Sequence, residues 1–350
     1  MEAEKLFFAV KFFSYFFLSF LVALFLEPII FYFLEKFNLR QNIRKNAVDG
    51  KIAKIFHQLH SKKAGTPVGG GIMIWGTVVL VIFYSRFLSF CGVLEKSLLQ
   101  RAEIYLPLFT LVIMGIFGAI DDFWNSRKIG KKTGISAGPK MFFITLFALM
   151  GSFWFYFKLN YTEITIPGIG VFDIGIWAIP VFVFVIIGTA NAVNITDGLD
   201  GLAGGVLIFN FAAFGALAFF RGHEFLTIFC GIICAALLAF LWFNVTPAKF
   251  FMGDTGSLAL GATLGVIAMM IDAIVVLPII GFIFVFEAFS VILQLFSKKF
   301  FKKKIFLIAP IHHHFEKIGW GEAKIVMRFW ILGVATAAIG LIFGMIGLQT

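Results

Sequence analysis

The sequence predicts an all-α, polytopic integral membrane protein that forms a single domain over residues 1–350. Two observations carry this prediction. Hydrophobic residues make up 60% of the chain and charged residues only 14%, which is more apolar surface than a soluble domain can bury. In addition, apolar stretches long enough to cross a bilayer recur from end to end, without low-complexity linkers or internal repeats between them.

These stretches predict about ten transmembrane helices, because a helix needs about 20 mainly apolar residues to cross the hydrocarbon core. The predicted spans are residues 7–34, 68–90, 104–121, 140–158, 174–194, 202–220, 225–244, 255–271, 274–296 and 325–347. Between the fourth and fifth spans, isoleucines alternate around Pro167-Gly168 within residues 160–173. This alternation predicts a short external β-hairpin. An even number of spans places both termini on the same side.

The distribution of Lys and Arg predicts the orientation of the chain. Most of the 29 basic residues fall on one side of the ten-span arrangement, and cytoplasmic loops are the ones enriched in Lys and Arg. That side is therefore expected to be cytoplasmic. The net charge of +10 is then a signal of topology, and no nucleic-acid partner is expected. The run Lys302-Lys303-Lys304 is interpreted as an anchor for anionic membrane lipid.

Four polar clusters interrupt the apolar sequence, and all four fall on the predicted cytoplasmic side. The clusters are Asp121-Asp122 after the third span, residues 191–200 after the fifth, Asp254 before the eighth, and residues 311–316 in the last cytoplasmic loop. Carboxylates and amides are costly near hydrocarbon and usually carry function there. We therefore expect one cytoplasm-facing site at the membrane boundary.

The spacing within the clusters is informative. Asn191, Asn194 and Asp197 are separated by three residues each, which predicts that they share one helical face. Adjacent helix positions point about 100° apart, so Asp121 and Asp122 are expected to face one ligand only if the helix ends there. If the helix continues, one carboxylate is expected to bind the ligand and the other to position or tune its partner. A simple role at the end of a helix stays open for this pair.

Asp254 has two interpretations. It is followed by Thr255, Gly256 and Ser257 at a predicted helix start, so it fits an N-cap. It also fits a cation ligand beside a helix N-terminus, where phosphate is attracted.

Histidines and further polar groups complete the set of candidates. His312, His313 and His314 cannot all face one point of a helix, and histidine suits either zinc or hydrogen bonds to phosphate. The many carboxylates and amides favour Mg²⁺ instead. Glu287 and Ser290, one helical turn apart, are interpreted as an interhelical hydrogen-bond seam. The basic residues that are candidates to bind phosphate are Lys62, Lys63, Lys128, Lys131, Lys132 and Lys140. Mg²⁺, carboxylates and Lys together are typical of phosphoryl transfer, and a boundary site suits one soluble and one lipid substrate.

Six motifs, in order along nearly the whole chain, resemble those of bacterial phospho-N-acetylmuramoyl-pentapeptide transferases. They are residues 63–67, Asp121-Asp122, and residues 191–202, 244–248, 251–261 and 309–316. The wider superfamily of polyprenyl-phosphate N-acetylhexosamine-1-phosphate transferases shares the aspartates, whereas the last motif, with its three histidines, is typical of the muramoyl-pentapeptide branch. The resemblance implies ten transmembrane helices, a homodimer, and a place in the bacterial cytoplasmic (inner) membrane.

The resemblance also implies a reaction and roles for residues. Phospho-MurNAc-pentapeptide would pass from UDP-MurNAc-pentapeptide to undecaprenyl phosphate in a Mg²⁺-dependent step of peptidoglycan synthesis that yields lipid I and UMP. The implied catalytic residues are Asp121, Asp122 and Asp254, and the implied metal ligands are Asp254 and Asp197. Phe251 would stack on uracil, with Gln294 nearby. The other implied substrate-binding residues are Lys63, Lys140, Asn191, Asn194, Asp197, Asp200, Asn244, His312, His313 and His314.

Two positions depart from the pattern of the family. Asn125 stands where the family usually has Lys, so Arg127 or Lys128 would have to supply that charge. Val68 stands in place of a Thr, so any hydroxyl contact is lost there.

Several alternatives stay open at this point. A related transferase that uses UDP-GlcNAc would share most motifs. A cation-coupled transporter would instead place its polar groups near the bilayer midplane and show inverted repeats. Within the favoured reaction, we prefer direct attack by the lipid phosphate to a covalent intermediate on Asp121 or Asp122.

Overall fold

The computed structural model describes residues 2–41, 63, 65–100, 102–127 and 134–347. The candidate phosphate ligands Lys62, Lys128, Lys131 and Lys132 lie outside the described residues.

Ten long helices occupy the described ranges, one for each predicted span. They are α1 (Glu2–Lys36), α2 (Gly71–Phe90), α3 (Ala102–Arg127), α4 (Ala137–Leu159), α5 (Ala178–Thr196), α6 (Leu202–Phe220), α7 (Glu224–Asn244), α8 (Asp254–Met270), α10 (Phe282–Phe300) and α12 (Glu322–Ile346). Two short helices, α9 (Leu277–Ile280) and α11 (Ile311–Lys317), complete the order, with 3₁₀ turns at Leu98–Gln100 and Gly175–Trp177.

Eight of these helices are long and apolar enough to cross a membrane. The other two are α8 and α10. Helix α8 has 17 residues, which is at the short end of the spanning range. Helix α10 contains Glu287 and carries Lys298 and Lys299 in its last turn. In a bilayer, a helix satisfies all its backbone hydrogen bonds internally, which explains why each predicted span contains a long helix; the ninth span, 274–296, is interrupted at Gly281, and its long helix begins only at Phe282. The chain is an all-α polytopic membrane protein, as predicted.

The centre of the bundle is α8, which is buried along its length from Thr255 to Met269. A helix that is apolar all round is typical of such a buried position. Small residues bring its neighbours close: Gly118 of α3 abuts the backbone of Asp254, and Gly261 of α8 abuts Thr189 and Ala190 of α5. This packing holds the N-terminus of α8 between α3 and α5.

The predicted β-hairpin is present. Strands β1 (Glu163–Ile166) and β2 (Gly170–Asp173) pair antiparallel, with Thr165 opposite Val171. Asp272, just beyond α8, accepts hydrogen bonds from the backbone N–H of Thr165 at 3.1 Å and from its hydroxyl. Because Asp254 begins α8 and a residue adds about 1.5 Å to a helix, the hairpin and Asp254 lie at opposite ends of the bundle, roughly 25 Å apart.

Candidate active site

A cavity of about 320 Å³ opens at the end of the bundle where α8 begins. Most of the predicted site residues line it: Lys63, Asp121, Asp122, Lys140, Asn194, Asp197, Asp200, Asn244, Phe251, Asp254 and His313. Four separate polar clusters of the sequence therefore meet in one place. Gln41, Val68, Asn125, Gly198, Leu199 and Gly253 also line the cavity.

Asp122 caps the N-terminus of α8 from the neighbouring helix α3. Its Oδ1 accepts a hydrogen bond from the Asp254 N–H at 3.1 Å, and its Oδ2 accepts one from the Thr255 N–H at 3.0 Å. The first N–H groups of a helix have no partner within the helix, and a carboxylate also interacts favourably with the helix dipole. Asp122 therefore fixes the position of Asp254, and it is only 5% exposed.

Asp254 lies at the centre of the polar contacts. The Lys140 ammonium contacts Asp254 and is 3.1 Å from Asp121 Oδ2. Asn194 Nδ2 donates to Asp254 Oδ1 at 2.6 Å and to Ser257 Oγ at 2.8 Å. Lys140 of α4 and Asn194 of α5 thus bind the carboxylate that begins α8, and Lys140 also links it to Asp121 of α3.

Asp121 and Asp122 lie within a continuing helix, the case for which the sequence predicts that one carboxylate binds a ligand and the other positions it. Helix α3 continues to Arg127, yet both carboxylates line the cavity. Asp121 reaches Lys140 on one side, and Asp122 reaches the start of α8 on the other. Two side chains about 100° apart on α3 therefore border the same cavity.

The segment after α5 supplies Asp197 and Asp200. Asp197 Oδ2 accepts a hydrogen bond from the Gly253 N–H at 3.2 Å. Burial, and next the negative charge of Asp254, raise the pKa of Asp197 to about 7. Asn191 does not reach the cavity, because its amide donates to Ile187 O of its own helix at 2.7 Å. The predicted shared face therefore brings Asn194 and Asp197 into the cavity, and leaves Asn191 beside it.

Lys63 and Asp200, which both line the cavity, form an ion pair at 2.6 Å. A third group, Glu322 of α12, contacts the Lys63 ammonium and accepts a hydrogen bond from the Asp200 N–H at 2.7 Å. The sequence interpretation missed Glu322. Its one signal is an acidic residue in the first turn of the last helix, which is a common feature of helices.

Phe251 presents its ring to the cavity from a well-anchored backbone. Its N–H donates to Pro67 O and its carbonyl accepts from the Gly70 N–H, both at 2.8 Å. Asn244 supports the same loop, because its Nδ2 donates to Phe250 O at 2.9 Å while its Oδ1 accepts from the Gly201 N–H at 3.0 Å. The side chain of Asn244 therefore ties two cavity-lining segments together.

The three histidines point to different places, as expected from their adjacent positions. His313 lines the cavity, with Nδ1 at 2.6 Å from Glu316. His312 is buried against Glu287, 3.0 Å away, so Glu287 does join α10 to another helix. His314 accepts a hydrogen bond from the Leu307 N–H at 3.2 Å. The structure brings His313 alone of the three into the cavity lining.

Gln294 also lies away from the cavity lining. Its Oε1 accepts hydrogen bonds from the N–H groups of Ile305 and Phe306, both at 3.0 Å, and its Nε2 donates to Phe306 O at 2.8 Å. It holds the loop that follows α10. The predicted substrate contacts of Gln294, Asn191, His312 and His314 remain predictions.

The two departures from the family pattern both fall at the cavity. Asn125 and Val68 line it. The guanidinium of Arg127 lies over the Phe123 ring, 5.6 Å from its centroid, and Arg127 is absent from the described lining. Lys128 lies outside the described residues.

The donor set of the cavity fits a hard divalent cation. The described lining contains five aspartates and two lysines, so negative charge is in excess. Lys140 already places a positive group between Asp121 and Asp254, which shows that this position favours a cation. Among the described residues, no group of three or more His, Cys, Asp or Glu is arranged as a ready metal site. Mg²⁺ is often held by only one or two carboxylates together with substrate phosphates and water.

Comparison with known proteins places the chain in a family. Residues 104–272 match the model of glycosyl transferase family 4. The phospho-N-acetylmuramoyl-pentapeptide-transferase of Clostridium perfringens is 40% identical over 320 residues, which cover 91% of this chain and 92% of that protein. The transferase of the same name from Anoxybacillus flavithermus is 37% identical over 325 residues, 93% of this chain and 95% of its own.

A third relative of that name, from Pelagibacter ubique, is 40% identical over 329 residues, which cover 88% of this chain and 86% of that protein. The chain belongs to the phospho-N-acetylmuramoyl-pentapeptide-transferase family.

Proposed function

We propose that this protein transfers phospho-MurNAc-pentapeptide from UDP-MurNAc-pentapeptide to undecaprenyl phosphate, releasing UMP and forming lipid I. The observation that carries the proposal is the cavity in which aspartates, lysines and an aromatic ring meet at one end of a membrane bundle. The names of the relatives agree with it. We place the site on the cytoplasmic side of the bacterial inner membrane, where a nucleotide substrate is available, and we expect a homodimer.

The cavity offers a distinct group for each part of the nucleotide substrate. The Phe251 ring provides a stacking surface for uracil, and the Lys63 ammonium, 5.8 Å from the centroid of that ring, is suited to the adjacent diphosphate. Asp254 and Asp197 would hold Mg²⁺, which supplies neutralisation of phosphate charge when bound. Asn194 keeps Asp254 oriented toward the cavity through its 2.6 Å hydrogen bond.

The contacts of the aspartate pair favour different roles for its members. Both carboxylate oxygens of Asp122 already accept backbone N–H groups of α8, which suits a positioning role. Asp121 is bound by the side chain of Lys140 and the Ile135 N–H, and it is the better candidate to accept a proton from the lipid phosphate. An oxygen of that phosphate then attacks the β-phosphorus of the UDP-sugar, and the bond to the α-phosphate oxygen breaks, so that UMP leaves.

The experiment that tests this function offers the purified protein undecaprenyl phosphate, Mg²⁺ and one UDP-sugar at a time. We expect UMP and a lipid-linked product from UDP-MurNAc-pentapeptide and none from UDP-GlcNAc. Release of UMP from UDP-GlcNAc instead would identify the related N-acetylglucosamine-1-phosphate transferase. Absence of UMP with either sugar would refute the transferase function, and would make cation-driven uptake into vesicles the next measurement. Asp254→Asn serves as the inactive control.

A further inference from the structure

Glu322 joins three segments that are far apart in the chain. It lies in the first turn of α12, and its Oε1 contacts the Lys63 ammonium and accepts the Asp200 N–H at 2.7 Å. Lys63 and Asp200 both line the cavity, whereas Glu322 stands behind them and is 17% exposed. One carboxylate oxygen therefore connects the last helix to two walls of the cavity.

The contact fixes the direction of the Lys63 ammonium. An ammonium group has three N–H donors, and here two of them are directed at Asp200, at 2.6 Å, and at Glu322. Among the described residues the third donor has no acceptor, and the ammonium lies 5.8 Å from the centroid of the Phe251 ring, where a ligand would bind. Lysine has a flexible four-carbon stem, and ordering a long side chain costs conformational entropy. Two carboxylate anchors restrict the ammonium to one place before the substrate arrives.

The same oxygen also supports the backbone of the cavity. Without Glu322, the Asp200 N–H would lose its acceptor, and an unpaired polar group in a partly buried position is costly. Asp200 in turn accepts a hydrogen bond from the Ala248 N–H at 3.0 Å, in the loop that leads to Phe251. Glu322 therefore acts on Lys63 directly and on the loop of Phe251 through Asp200.

A role in helix stability alone is the competing explanation, because acidic residues in a first helical turn interact favourably with the helix dipole. Glu224 is a natural comparison. It lies in the first turn of α7, and its side chain is exposed. Both residues have the same relation to their own helix, but Glu322 also reaches the cavity lining.

We propose that Glu322 is a positioning residue for the nucleotide substrate, which holds Lys63 and Asp200 in the arrangement that receives the diphosphate. The proposal rests on the proposed transferase function. It assigns Glu322 no contact with the reacting atoms, and it places the effect on binding of the UDP-sugar and not on binding of the lipid.

Three variants test the proposal: Glu322→Ala, Glu322→Gln and Glu224→Gln. Glu322→Ala should raise KM for UDP-MurNAc-pentapeptide by about tenfold, since a charge-assisted hydrogen bond and a backbone acceptor are lost. KM for undecaprenyl phosphate should stay unchanged. Glu322→Gln should recover most of the loss, because its amide oxygen can still accept from Lys63 and Asp200. Glu224→Gln should leave both values at those of the wild type.

A double-mutant cycle with Lys63→Gln separates positioning from general stability. If Glu322 acts through Lys63, the two substitutions will be clearly less than additive in KM for the nucleotide substrate. Additive effects, equal weakening of both substrates, or an unchanged KM would overturn the proposal. Melting temperatures in detergent identify any variant that fails to fold. If Glu322→Ala fails to fold, the KM values of Glu322→Gln test the proposal instead. Calorimetric titration with UDP and Mg²⁺ measures nucleotide affinity without turnover. It therefore tests the role of Glu322 even if the protein does not catalyse the proposed transfer.

Discussion

Removal of the Phe251 ring isolates the contribution of stacking to nucleotide recognition. The backbone of Phe251 is held by hydrogen bonds to Pro67 and Gly70, both at 2.8 Å, and these do not involve the side chain. The ring is half-buried and lines the cavity. Phe251→Ala should therefore remove the aromatic surface and leave the loop in place.

The expected magnitude follows from the chemistry of stacking. Stacking of a nucleic-acid base on an aromatic side chain contributes about 1–3 kcal/mol by alanine substitution, and about 1.4 kcal/mol corresponds to a factor of ten in affinity. The dissociation constant of UDP-MurNAc-pentapeptide should therefore rise by about 5- to 150-fold. The Lys63 ammonium near the ring is held by Asp200 and Glu322, so it should keep its position in the variant.

Calorimetric titration of the detergent-purified protein with UDP-MurNAc-pentapeptide and Mg²⁺ measures this change. Phe251→Tyr retains a ring and should bind with nearly the affinity of the wild type. Phe301→Ala removes an exposed ring outside the cavity lining and should change nothing. If Phe251→Ala weakened both substrates equally, or left nucleotide affinity unchanged, the assignment of Phe251 to uracil would be wrong.

Three further predictions concern the metal, the proton and the topology. Asp254→Asn keeps the shape of the side chain but removes its charge, so it should abolish UMP release at every Mg²⁺ concentration. Gel filtration should still show an assembled protein, and activity restored by high Mg²⁺ would contradict the prediction. Asp121→Asn should recover activity as pH rises from about 6 to 8, since the second pKa of a phosphate monoester is near 6 and the dianion needs no base. A stoichiometric burst of UMP without lipid would instead indicate a covalent intermediate. A reporter tag near His313 should lie on the cytoplasmic side and one near Thr165 on the external side. If both tags lay on the same side of the membrane, the predicted orientation would be wrong.

Much of the architecture could be predicted because the membrane leaves few choices. Spans of about 20 apolar residues must satisfy their backbone hydrogen bonds internally, so each predicted span contains a long helix. The hairpin around Pro167-Gly168 followed from local alternation and turn chemistry. The meeting of the four polar clusters also followed from the chain itself, because the distribution of Lys and Arg assigns each helix end to a side.

The roles of individual side chains depended on tertiary packing. Periodicity placed Asn191 with Asn194 and Asp197, but it could not show that the amide of Asn191 bonds to its own helix. Likewise, nothing in the motif of Asp121-Asp122 indicates that Asp122 caps α8, which begins 132 residues later.

The contrast between Glu224 and Glu322 gives the physical reason. As sequence features the two are alike, each an acidic residue in the first turn of an apolar helix. In the folded chain, Glu322 meets Lys63 across 259 residues of sequence, whereas Glu224 is exposed. The sequence by itself determined which segments become helices and which of their ends carry polar groups, since length, apolar periodicity and charge are local properties. The tertiary structure alone decided which oxygen meets which N–H, because such contacts extend over only about 3 Å and are set by how distant helices pack together.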